Sequence, residues 1–170
     1  MQIRPAHVED AREIAEIHVH TWQIAYAGIV PAEYLASLSV EKYEAMWHEC
    51  IIKGIPQLLV ATENGRMFGW MAFGPSRDHG ANANVAEIWA IYVGAAHWGR
   101  GVGRQLWQQT HAQMREQSFK LVGLWAFPEN VRADKFYRAL GFEVEPSSGK
   151  QLTLGGSQLN EVRYVRPIDA

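Results

Sequence analysis

One cysteine, Cys50, is all the chain carries, so an internal disulfide is impossible and stability must come from packing. No apolar run approaches the ~20 residues of a membrane span. Met1-Gln2-Ile3-Arg4 leads straight into polar sequence, without the apolar stretch of a secretory leader. These absences set the expectation of a cytoplasmic protein with no membrane partner. Charge of neither sign dominates: 16 Lys and Arg face 18 Asp and Glu, a net charge of −2. No block of like charges forms a tail, which argues against nucleic acid as a partner. Repeats, low-complexity tracts and linkers are missing too. A length of 170 residues suits one domain, residues 1–170, with a sizeable core. The histidines (His7, His18, His20, His48, His79, His97 and His111) make no His-x-x-x-His pair, so no metal site is expected. No nucleophile elbow surrounds a Ser or Cys.

What is there begins with the run from Ile88 to Leu106. A strand-like stretch ends at Val93, glycines recur at Gly99, Gly101 and Gly103, and a helical pattern starts at once. Such a turn aims a helix N-terminus and free backbone N–H groups at an anion, usually a phosphate. Arg100 and Arg104 add charge of the right sign. Two common phosphate loops fail on spacing. No Gly-x-x-x-x-Gly-Lys-Ser/Thr string occurs, and the third glycine of Gly-x-Gly-x-x-Gly is replaced by Leu106.

Along the chain, strands are expected at Gln2–Arg4, Gln57–Glu63, Arg66–Phe73, Asn84–Val93 and Lys120–Phe127, with closing strands at 142–145, 151–154 and 159–165. Asn64-Gly65 signals a type I′ hairpin. Helices are expected at Ala11–His20 behind an Asp10/Glu13 capping box, and at 32–37, 40–51, 101–117 and 130–140. Val40, Tyr43, Met46, Trp47 and Cys50 share one helical face; Val102, Leu106, Thr110 and Met114 share another. The hairpin makes the first half antiparallel, and the strand–helix–strand unit from Asn84 to Phe127 implies a parallel crossover. The fold class is therefore α/β, a mixed sheet with helices on both faces.

Trp-Gly-Arg-Gly-Val-Gly from Trp98 to Gly103 resembles the Gln/Arg-x-x-Gly-x-Gly/Ala signature of the GNAT N-acetyltransferases. Asn-Val-Arg-Ala-Asp-Lys-Phe-Tyr-Arg-Ala-Leu-Gly-Phe from Asn130 to Phe142 is similar to their Asn-x-x-Ala-x-x-Phe/Leu-Tyr-x-x-x-Gly-Phe. The one clear departure is Trp98, where a polar side chain is usual. The resemblance implies the GNAT fold, a central, largely antiparallel sheet splayed between its fourth and fifth strands, with acetyl-CoA entering the gap and no metal.

It also implies roles. Gly99, Arg100, Gly101, Val102, Gly103 and Arg104 would bind the pyrophosphate, mostly through backbone N–H groups plus the two arginines. The backbone of Ile91, Tyr92 and Val93, a stretch where the family often bulges and so frees N–H and C=O groups, would hold pantetheine together with Asn130, with Ala133 and Phe136 facing it. Tyr137 would protonate the leaving thiolate. The expected base is Glu87 or, as in other family members, a water held by backbone: Val85, Glu87, Trp89, Ile91 and Val93 alternate on one strand face, where a carboxylate is unusual. Trp22 and Tyr26 would wall the acceptor site, since aromatic rings embrace an ammonium group. The reaction implied is direct acetyl transfer to a primary amine of a small molecule in a ternary complex. Family members often dimerise, so a homodimer is a further implied partner. A non-catalytic acyl-CoA-binding module and a protein N-terminal or lysine acetyltransferase stand as alternatives.

Overall fold

The computed structural model describes residues 1–168. Among these, eight strands form a mixed sheet: β1 (Gln2–Pro5), β2 (Gln57–Glu63), β3 (Arg66–Pro75), β4 (Val85–Val93), β5 (Leu121–Ala126), β6 (Glu143–Val144), β7 (Lys150–Leu154) and β8 (Ser157–Pro167). Their order is β1-β2-β3-β4-β5-β8-β6, with β7 pairing β8. Only β4 and β5 run parallel, as the crossover through α4 (Val102–Glu116) requires. That pairing is short: Val85, Ala86 and Glu87 meet Leu121, Val122 and Gly123, and the two strands then part. The sheet is thus mixed and splayed at its middle.

Sequence patterns built most elements as expected. Asn64 and Gly65 both take positive φ, 51° and 75°, and join β2 to β3. Ser39 caps α3 (Val40–Lys53), its Oγ accepting from the Lys42 N–H at 3.2 Å. Along α4, Val102, Leu106, Thr110 and Met114 are all buried. On α3, Val40, Tyr43, Trp47 and Cys50 pack onto the sheet, but Met46 lies 39 % exposed, at the margin of the face assigned to it.

Expectations need correction in two places, α1 (Ala11–Ala25) and β4. Asp10 and Glu13 form no capping box for α1. Asp10 instead takes a bidentate pair from Arg4 and the His7 N–H, while Glu13 accepts the Met67 N–H at 2.8 Å. The helix also runs on to Ala25, well past His20, because nothing in Thr21-Trp22-Gln23-Ile24-Ala25 stops it. The second correction concerns β4. The register steps from Ala72↔Ala90 to Phe73↔Ile88, so Trp89 is a bulge with no partner on β3. The extra residue reverses the alternation. Ile91 and Val93 join Ala86 and Ile88 on the side of α4 and α5 (Val131–Ala139), whereas Trp89, Ala90 and Tyr92 pack toward α1 and α3. Glu87, Ile91 and Val93 therefore do not share a face.

The core under α1 and α3 is aromatic. Trp70, fully buried, donates its indole N–H to the Ile14 carbonyl at 3.1 Å. His18, 5 % exposed, stacks on Tyr92 with ring centroids 4.8 Å apart, and its Nδ1 accepts from Trp47 Nε1 at 3.1 Å. An indole only donates, so Nδ1 is bare and the neutral ring carries its proton on Nε2. Burial lowers the His18 pKa from 6.5 to about 3. The folded state thus resists a proton that the unfolded chain accepts below pH 6.5. Stability from this group is complete above that pH and is lost as pH falls toward 3, by about 1.4 kcal/mol per unit. His18→Gln keeps an acceptor for Trp47 and cannot titrate. Its unfolding free energy, measured by denaturant titration between pH 6 and 4, should fall less steeply than wild type by about one proton. Equal slopes would show that His18 is not the acid-sensitive group.

Candidate active site

Where β4 and β5 part, a cavity of about 470 Å³ opens between them. The strands contribute Ile88 to Val93 on one side and Leu124, Trp125 and Ala126 on the other. The unpaired stretch of β4 thus faces the cavity, so a strand-like ligand there would find backbone partners. Trp98, Gly99, Gly101, Val102, Gly103 and Arg104 close one end. Gly101, at φ 81°, is the N-cap of α4, a left-handed conformation that favours glycine. Among the described residues, the N–H groups of Gly101, Val102, Gly103 and Arg104 find no backbone acceptor. A Cβ on Gly103 would sit 3.0 Å from the Phe136 ring, so glycine lets α4 and α5 close together over the cavity. Bare N–H groups, a glycine-lined approach and Arg104 suit a pyrophosphate, and the gap between the strands suits a pantetheine arm.

The second motif supplies the opposite wall: Asn130, Arg132, Ala133, Phe136 and Tyr137. Asn130 caps α5, its side chain accepting from the Ala133 N–H at 3.1 Å. Tyr137 is 8 % exposed and packs its ring against Phe136, Phe142 and Tyr164. Its hydroxyl has no hydrogen bond among the described residues. Burial first, then neighbouring Tyr92 and Tyr164, raise the pKa of the phenol well above its usual 10, so it stays protonated. From α1, Thr21, Ala25 and Tyr26 line the cavity, and Tyr26 meets the Phe127 ring edge-on at 5.3 Å.

Three residues expected at the site fall outside this lining: Arg100, Trp22 and Glu87. Trp22 stands behind the wall, donating its indole N–H to the Tyr92 hydroxyl at 2.7 Å and bracing Tyr26 edge-on at 4.8 Å. Glu87 is 3 % exposed, and Arg77 holds its carboxylate through the backbone N–H at 2.8 Å, Nε at 3.0 Å and a short contact from the guanidinium end. The same guanidinium lies 4.5 Å over Trp89. A carboxylate tied in this way fixes the segment after β3.

Others were missed. Glu161, on β8 opposite Lys150, is half-buried, and no ion pair or hydrogen bond to its carboxylate is found among the described residues. Burial, opposed by Lys150 and Arg77, raises its pKa above the ordinary carboxylate value. Its charge is also felt at the Tyr26 phenol. An acidic residue in an exposed-looking closing hairpin gives no sequence signal of this setting. Glu161, like Glu87, is outside the cavity lining, whereas Arg132 and His97 line it unforeseen. Among the described residues no cluster of His, Cys, Asp and Glu would hold a metal, and no helix is long and apolar enough to cross a membrane.

Comparison with known proteins agrees with this geometry. An uncharacterized N-acetyltransferase of Bacillus subtilis, YuaI, is 29% identical over 94% of this chain and 89% of its own length. The spermidine N(1)-acetyltransferase of Thermoplasma acidophilum is 25% identical over 91% of this chain and 95% of its own. The crystal structure of the PaiA N-acetyltransferase from Thermoplasma acidophilum in complex with coenzyme A superposes with a TM-score of 0.80 at 22% identity, covering 98% of both chains. The model of the acetyltransferase (GNAT) family matches residues 13–142, which span both motifs and the cavity they line. The chain belongs to the GNAT family and is an acetyl-CoA-dependent acyltransferase.

Proposed function

We propose that the protein moves the acetyl group of acetyl-CoA to a primary amine of a small molecule, by direct attack within a ternary complex. One observation carries the reading: a single cavity joins the N–H groups at the start of α4 to the Tyr137 phenol and to Tyr26 of α1. Bound acetyl-CoA supplies an activated thioester. Gly101 to Arg104 would hold its pyrophosphate, Ile91 to Val93 and Asn130 its pantetheine, with Ala133 and Phe136 alongside. Tyr137 then donates a proton to the departing sulfur. Among the described residues no Ser or Cys lines the cavity to act as a relay, so the amine attacks directly.

An alkyl ammonium must lose a proton before it attacks. Glu87, bound by Arg77, is poorly disposed for that, and we assign the base to Glu161, acting directly or through water. A carboxylate whose charge reaches the Tyr26 phenol also suits a cationic acceptor. A relative named for spermidine acetylation, matched along nearly its whole length, favours small amines over protein termini or lysines. The test is thiol release from acetyl-CoA with polyamines, amino acids and short peptides as acceptors. Turnover with a polyamine or amino acid well above that with peptides is expected. Preference for peptides would transfer the reading to protein acetylation.

A further inference from the structure

The residue that breaks the family signature has a defined place. Trp98 follows the short 3-10 turn Ala95–His97, and its indole N–H donates to the Val93 carbonyl at 2.7 Å. The ring is thereby pinned to the end of β4 as a flat plate beside the glycine loop. Arg132, from the first turn of α5, lies over that plate with its guanidinium carbon 3.9 Å from the ring centroid. Both residues line the cavity. No carboxylate pairs with Arg132 among the described residues, so the stacked guanidinium keeps its N–H edge for another partner. Stacking uses the face of a guanidinium and leaves its in-plane donors free, the geometry that suits a phosphate.

We propose that Arg132, held in place by Trp98, is a phosphate-binding residue for CoA and supplies the charged contact that the loop's opening side chain does not. Trp98 is then a positioning residue that acts through Arg132. To the backbone N–H groups and the loop arginines expected from the sequence, this adds Trp98, acting indirectly. Both phosphate groups of CoA, the pyrophosphate and the ribose 3′-phosphate, have the required chemistry, and 3′-dephospho-CoA separates them.

The inference rests on CoA occupying this cavity, and calorimetric titration of the ligand-free protein with CoA tests both. Arg132→Ala should weaken CoA binding about tenfold, as expected for one charge-assisted phosphate contact, and should flatten its salt dependence. Arg132→Lys should recover only part, because a lysine ammonium is not a planar fork. Trp98→Phe keeps a stacking face but loses the bond to Val93, and should fall between wild type and Arg132→Ala. Adding Trp98→Phe to Arg132→Ala should cost nothing more, since both act through one contact. If Arg132→Ala lowers the preference for CoA over 3′-dephospho-CoA, the 3′-phosphate is the partner. If both ligands weaken equally, it is the pyrophosphate. Wild-type affinity in Arg132→Ala, or losses that add in the double variant, would overturn the proposal. A wild-type protein that binds no CoA would overturn the cavity assignment beneath it. Arg132 is exposed, so its replacement should leave the ligand-free melting temperature unchanged.

Discussion

Tyr137→Phe should lower kcat about 10²-fold, the usual scale for loss of a positioned proton donor, while CoA affinity stays at its wild-type value. The variant keeps the ring that packs against Phe142 and Tyr164 and removes only the hydroxyl, which no described residue engages. At first sight a phenol with a raised pKa is a poor acid for a thiolate. In the proposed mechanism, however, the thiolate forms in the same buried place, and desolvation penalises both anions. The relative acidity of the pair is therefore closer to its value in water than the phenol alone suggests. A raised pKa also keeps Tyr137 protonated through any practical assay range, so no alkaline limb should arise from it. The measurement is steady-state thiol release with saturating acetyl-CoA and the best amine. If Tyr137→Phe turns over as fast as wild type, the proton comes from elsewhere.

The second large effect is expected at Glu161. Glu161→Gln should reduce kcat/KM for the amine about 10²-fold. It should also abolish the acid limb of the kcat/KM–pH profile. The sign follows from the base having to be ionised. In wild type, activity should fall as pH drops through the carboxylate pKa, and burial should place that limb above the usual value near 4.5. With Gln there is no group to protonate. Glu87→Gln serves as the comparison. It weakens the grip of Arg77 and should lower the melting temperature while leaving the acid limb in place. If the limb survives in Glu161→Gln and vanishes in Glu87→Gln, the base is Glu87 as the sequence suggested.

Much of the architecture was legible because it rests on local rules. The buried stripe of α4 repeats every three or four residues, and Asn64-Gly65 dictates its own turn. The two motifs marked most of the cavity wall because each lies on one continuous segment. What escaped notice depends on distant partners. Arg77 claims Glu87 from a loop ten residues upstream, so an acidic residue in an apolar strand looked unattached. Trp98 and Arg132 come from different motifs and meet only in three dimensions. The family resemblance implied a bulge on this strand, but its place at Trp89 leaves no mark in hydropathy, because the residues on both sides of it are largely apolar; only the register with β3 reveals the change of face.

The three-pair contact between β4 and β5 has a consequence for the protein without its cofactor. A sheet normally spreads cohesion along every ladder, whereas this one is unzipped near its centre and exposes two inner edges to water. Filled by the pantetheine arm, as proposed, the gap regains the bonds of a missing strand. The ligand then becomes part of the molecule's scaffold, and each tenfold excess over Kd adds about 1.4 kcal/mol to the free energy of unfolding. The halves on either side of the seam would be most loosely joined when acetyl-CoA is scarce, making the supply of acyl donor a determinant of how long the enzyme survives as well as how fast it works.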